Sequence, residues 1–155
     1  TWTEDEHRQY HIRQLMSMYY SIFKCNELKE TYANKNHFVY DYVVRIRFDA
    51  KPQQGLLCSE YDPNNLYYQN LDQPDGLVSD WINFGSNAIM NVYSSMYFMM
   101  EYLNTFQYYK KEDREANTYE PSETIPGCSE YSIRDLMTLC RIPRRAFSVR
   151  CVLFE

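Results

Sequence analysis

The sequence predicts an α+β fold: an N-terminal helix, an antiparallel β-meander, a long central helix, and a C-terminal helix and strand that return to the body or to a partner. Three observations predict it. Apolar residues near the start recur at three- and four-residue steps, HFVYDYVVRIRFD at residues 37–49 alternates with period two, and NAIMNVYSSMYFMMEYLNTFQYY at 87–109 is long enough for six helical turns. With 155 residues, one compact core can bury about two thirds of the unfolded surface.

The first helix is predicted over residues 4–31. Thr3 followed by Glu6 makes a capping-box pair, and Glu4 and Asp5 sit at the positive end of the helix. Ile12, Leu15, Tyr19 and Ile22 form the apolar stripe, widened by Met16 and Phe23. In the alternating segment, Phe38, Tyr40, Tyr42, Val44, Ile46 and Phe48 share one face, while Asp41, Arg45, Arg47 and Asp49 share the other. The turn KPQQG, a second strand LLCSEY and a second turn YDPNN make residues 37–62 an expected antiparallel hairpin, with LYYQNL a third strand closed by QPDG.

Asn87 is the expected N-cap of the central helix. Ile89, Val92, Met96, Met99, Leu103 and Phe106 form its expected inner seam. Met90, Tyr97, Phe98, Tyr102 and Tyr108 lie outside that seam, so only a thin polar line is left. A helix apolar nearly all round is covered nearly all round. The cover is either the rest of this domain or a partner chain, and the flexible methionines favour a partner.

At Lys110 the composition changes: KKEDREANTYEPSETIPG is charged and aperiodic, the mark of a linker. The chain therefore divides into a main domain (1–109), a linker (110–130) and a C-terminal helix–strand segment (131–155). In the last, Ser132 with Asp135 is the expected cap of a helix through about Arg141, and AFSVRCVLF a final strand with Phe147, Val149, Cys151 and Leu153 on one face.

The search for chemistry is mostly negative. His7 and His11 are four apart on one helix face, but Arg8, Gln9 and Tyr10 between them supply no general base, and no further metal ligand is evident. The five cysteines include no CxxC pair, and the four glycines are scattered through turns rather than gathered in a phosphate loop. Asp72, Asp75 and Asp80 suit turns and caps. No metal and no cofactor is implied. A cysteine-dependent enzyme pairing His37 with Cys58 or Cys128 stays open as an alternative.

The net charge of −5 argues against general attraction to nucleic acid or an anionic membrane. A single-stranded RNA platform is the other alternative, with Arg45, Arg47, Arg144 and Arg145 converging beside tyrosines. No apolar run is long enough to span a bilayer. Widely spaced cysteines, with no Asn-x-Ser/Thr sequon, place the expected location inside the cell, in nucleus or cytoplasm. Sixteen Tyr and eight Phe suit interfaces, where a ring buries area while a hydroxyl stays wet. The surface expected to meet a protein partner or a second copy is Met90, Tyr97, Phe98 and Tyr102.

A leading helix, a meander with one long strand, a SEYDP turn at Ser59–Pro63 and then a long helix resemble the RWD-type fold of kinetochore and chromosome-segregation adaptors. Within that group the chain is most similar to the globular domain of monopolin subunits. The resemblance spans about residues 10–109 and rests on element order. It implies a non-catalytic adaptor that binds short partner segments, often as a dimer.

Overall fold

A computed structural model of the protein describes residues 4–53, 55–70, 78–102, 129–148 and 151–153. Residues 110–128 of the expected linker, the QPDG turn and the inner-seam residues Leu103 and Phe106 lie outside these residues, while Ser129 and Glu130, expected in the linker, open a helix. Helix α1 spans Glu4–Lys35 and strand β1 spans Tyr42–Ile46. Strand β2 (Ala50–Pro52) and a short 3-10 turn (Cys58–Glu60) precede β3 (Leu66–Gln69) and β4 (Ile82–Ser86). Helix α2 (Asn87–Ser94) is followed by α3 over residues 96–102. Helix α4 (Ser129–Leu139), β5 (Arg144–Phe147) and β6 (Cys151–Leu153) complete the order.

The fold is α+β, as the sequence patterns predict, with a mixed sheet. Its strand order is β1-β4-β3-β5, antiparallel except for β3 and β5, which run parallel, while β2 pairs with β6 separately. Three expectations change here. The hairpin of residues 37–62 does not form: β1 pairs with β4, and LLCSEY gives the 3-10 turn in place of a strand. The final strand is split into β5, which joins the main sheet, and β6, which leaves it. The helix of residues 87–109 is interrupted at Ser95.

Strand β1 is shorter than its alternating pattern because α1 continues to Lys35 and closes with its own turn. The amide of Phe38 donates to the Ala33 carbonyl and that of His37 to the Asn34 carbonyl, with His37 left-handed at φ 57°. This is a Schellman ending, and its usual apolar contact is present between Tyr32 and Phe38, 5.9 Å apart. Helix α4 ends in the same way, through Arg141 at φ 55° and an Ile142 amide bonded to the Met137 carbonyl. Ser132 and Asp135 are not a cap. Helix α4 begins at Ser129, and both side chains are buried inside it.

The main core lies between the sheet and the helices. Leu15 and Tyr19 of α1, Leu66 of β3, Ile89, Met90 and Tyr93 of α2, Met96 and Met100 of α3, and Ile133, Leu136 and Met137 of α4 form one buried cluster. Helix α4 therefore belongs to the same packed body as the strands before it, and β5 joins that body through its pairing with β3. A polar clamp joins α1 to α2: the Lys29 ammonium donates to Asn87 Oδ1 at 2.5 Å and Asn91 Oδ1 at 2.8 Å and pairs with Glu30 at 2.9 Å. Hydrogen bonding from Lys29 first, then from Asn91 and Asn87, holds the Glu30 carboxyl below its ordinary value. Asn87 thus serves the clamp, and Ser86 takes the N-cap position predicted for it.

The other face of the sheet carries a smaller cluster of Tyr67, Ile82, Phe84 and Phe147, covered by Leu56, Cys58 and Tyr61. The edge strand β1 extends past that cover. Its pattern is correct, but Val44 and Ile46 stay 40% and 44% exposed, while Val43 reaches toward the main core.

At Gly85 the chain passes close to its neighbours. A Cβ there would meet Ile89 Cγ2 at 3.0 Å and the Asn65 carbonyl oxygen at 3.1 Å. The carbonyl belongs to the backbone and cannot swing away. Gly85→Ala is therefore expected to cost about 1–3 kcal/mol of stability, read as a lower melting temperature. An unchanged melt would contradict this tight approach.

Candidate interaction surface

The local chemistry at Ser94 and Ser95 shapes the candidate surface. Ser94 Oγ donates to the Met90 carbonyl at 2.7 Å and Ser95 Oγ to the Val92 carbonyl at 2.7 Å. The Ser95 amide is shared between the Asn91 and Val92 carbonyls, and the Phe98 amide bonds to the Ser95 carbonyl at 3.0 Å. Hydroxyls that bond back to the preceding turn bend helices, and serine pairs are frequent break points. The break divides the helix into α2 and α3. Of the predicted row, Ile89 and Met96 are buried and Val92 and Met99 half-buried against the same core, with Met90, Tyr93 and Met100 buried beside them, so the buried face is turned partly from the predicted row toward the side that carries Met90.

Met90 is therefore corrected. It is 2% exposed within the main core and cannot meet a partner. The methionines that suggested an adaptable interface fill the core instead, a use their flexible chains also suit. Tyr97 is half-buried, while Phe98 and Tyr102 are 63% and 56% exposed.

Helix α1 completes the surface. Tyr20 packs on Tyr97 with ring centres 5.2 Å apart at 63°, and Phe23 packs on Phe98 at 4.7 Å and 80°. Tyr97 and Phe98 meet at 5.3 Å and 72°. These are edge-to-face contacts, each worth about 0.5–1.5 kcal/mol beyond burial. The rings hold one another in place, so ordering them on binding costs little additional entropy. Lys24 lies over the Phe23 ring at 5.7 Å and is paired with Glu27, whose hydrogen bond raises the ammonium above its ordinary value. The result is an aromatic patch with a charged rim. Sequence reasoning placed Phe23 on the inner stripe and passed over Tyr20; the three-residue step between them was the available signal.

The four arginines are not brought together. Strands β1 and β5 are the two outermost strands of the sheet, so roughly 14 Å of sheet separates Arg45 from Arg144 and Arg145. Arg45 donates to the Asp80 carbonyl and to Asn83 Oδ1. Arg47 makes a two-pronged contact with Asp49, lies 3.6 Å from Asp80 and stacks near Trp81 at 6.0 Å. Arg144 bonds to the Arg134 carbonyl at 2.8 Å, and burial, followed by the charge of Arg134, lowers it below the ordinary guanidinium value. Arg145 is exposed on the opposite face, beside Tyr67 in register. Three of the four are fastened within the fold, and the expected platform does not assemble.

The remaining candidates have local explanations. His37 forms the left-handed turn after α1, and His11 is exposed. Asp80 is buried and paired with Arg47, so it is a tie between segments rather than a turn residue. Cys128, Asp72 and Asp75 lie outside the described residues, as does the His7 side chain. Among the described residues no three His, Cys, Asp or Glu are grouped as metal ligands would be, and no helix is long and apolar enough to cross a membrane.

The correction at Met90 can be measured. Met90→Ala is expected to cost about 2–5 kcal/mol through lost burial and a cavity. Phe98→Ala should cost less than Met90→Ala, since it removes two ring contacts of about 0.5–1.5 kcal/mol each at an exposed site. Urea unfolding of both variants makes the comparison, and equal losses would contradict the exposed placement of Phe98. No protein-family model matches this chain, and no significant similarity to a curated protein or to a solved structure was found.

Proposed function

We propose that this chain is a non-catalytic protein-interaction module, an adaptor or scaffold that receives an apolar segment of a partner protein on the α1–α3 aromatic patch. The observation that supports it is the group Tyr20, Phe23, Tyr97 and Phe98, whose rings pack on one another while Tyr20 and Phe98 stay exposed, with the exposed Tyr102 one helical turn beyond Phe98. Exposed aromatics fixed in place are the residues that dominate binding energy at interfaces. Solvated singly they would need no explanation, but a contiguous set does.

The proposal extends to the class of assembly. The order of a long helix, a sheet and a further helical layer is the basis for reading the chain as an RWD-type adaptor of a chromosome-segregation complex, acting inside the cell in nucleus or cytoplasm. The free thiols of Cys25, Cys58 and Cys140 fit a reducing compartment. The RNA-binding alternative loses its support, because its arginines are divided between sheet edges and fastened to Asp49, Asp80, Asn83 and the Arg134 backbone.

A peptide library displayed on phage and selected against the protein provides the probe. Selected peptides should be apolar or aromatic, and Phe98→Glu should weaken their binding at least tenfold, about 1.4 kcal/mol. The melting temperature of Phe98→Glu should stay near that of the wild type, since water returns to an exposed site. Peptides that bind Phe98→Glu as tightly as wild type would refute the assignment of the patch.

A further inference from the structure

A second surface lies along the outer strand β1, and its chemistry is self-complementary. Strand β1 is an outer strand, and among the described residues β4 is its one neighbour in the sheet. Outer strands are usually protected by prolines, bulges or outward charges. Here Tyr42–Ile46 holds no proline, and its single charge, Arg45, is turned to Asn83 and the Asp80 carbonyl. The side chains on the opposite face, Val44 and Ile46, are left partly exposed, and Phe48 just beyond the strand is fully exposed.

We infer that β1 is a homodimerisation edge, occupied by β1 of a second copy in antiparallel register centred on Val44. Two-fold symmetry places residues of the same face opposite one another, so the axis must pass by Val43, Val44 or Arg45. Centring on Arg45 opposes like charges, Arg45 with Arg45 and Asp41 with Asp49. Centring on Val43 leaves the end of the strand unpaired. Centring on Val44 pairs the whole strand: Val44 meets Val44, Tyr42 meets Ile46 twice, Val43 meets Arg45 twice, and Asp41 at each end lies opposite Arg47 of the copy, which in its own chain is paired with Asp49. Apolar residues and opposite charges directly across a ladder stabilise pairing. The sheet then continues across the axis, and the two Val44–Ile46 rows lie side by side as one continuous apolar row on its face. This edge does not involve the aromatic patch, so a dimer would keep both patches available.

The experiment uses the full chain. Wild type should sediment as a dimer at about 100 µM, well above the micromolar range of weak association. Val44→Lys, which sets like charges on the axis, should sediment as a monomer with an unchanged circular dichroism spectrum. Val44→Cys in a Cys25→Ser, Cys140→Ser background should form a disulfide-linked dimer on mild oxidation, while the same background retaining Val44 should not. Directly opposed antiparallel residues lie about 4.5–5.5 Å apart between Cα atoms, within disulfide reach. A monomeric wild type, a dimeric Val44→Lys, or no cross-link through Val44→Cys would overturn the inference. Phe98→Glu should remain dimeric. Its dissociation to monomer would move the dimer contact to the aromatic patch and also overturn it.

Discussion

A buried amide that must be satisfied organises this protein. Asn83, in the middle of β4, is fully buried on the face of the sheet that the helices cover. Its Nδ2 donates to the Ser79 carbonyl at 2.7 Å, and its Oδ1 accepts from Tyr93 Oη at 3.1 Å and from Arg45 Nη1 at 3.3 Å. One side chain thereby connects the segment before β4, helix α2 and strand β1. Leaving any of these buried groups without a partner costs about 1–3 kcal/mol, so the three segments are held to one arrangement.

The exposed surfaces follow from that junction. Tyr93 is anchored with its ring in the core, which sets the rotation of α2 and buries Ile89 and Met90 with it. Ser95 then redirects the chain, so that α3 buries Met96 and Met100 while Tyr97 and Phe98 come against Tyr20 and Phe23 of α1. On β1 the same junction turns Arg45 inward, which removes the charge that would otherwise protect the strand's edge. The aromatic patch and the bare edge are two results of one buried network.

Much of the architecture was legible in the sequence. The α1 stripe through Ile12, Leu15, Tyr19 and Ile22 is buried or half-buried, and the alternation at β1 is real. Periodicity reports which residues share a face, but it does not report which strands are neighbours. The placement of β4 between β1 and β3 is a long-range property, and WINFGS, with Asn83 buried in its centre, does not look like a strand from its side chains. Met90 is misplaced in the sequence reading because a helix apolar nearly all round does not show which of its sides faces the sheet, and the anchoring of Tyr93 is a long-range contact. The arginines were misjudged for a related reason. A sequence shows charge, but the partners of Arg45, the Asp80 carbonyl just before β4 and Asn83 on β4, lie more than thirty residues away. The exposure of Phe98 and Tyr102 was legible, while the contact of Tyr97 with Tyr20 required the packing of α1.

Whether the Asn83 junction fixes the fold is open to direct measurement by a double-mutant cycle on Asn83→Ala and Tyr93→Phe, with unfolding free energies from urea titration. The two residues share a buried hydrogen bond and should not act independently. The account predicts a coupling of about 1 kcal/mol or more, because the second substitution costs less once its partner is gone. Additive losses would contradict it, and would mean that α2 is positioned by apolar packing without the buried amide.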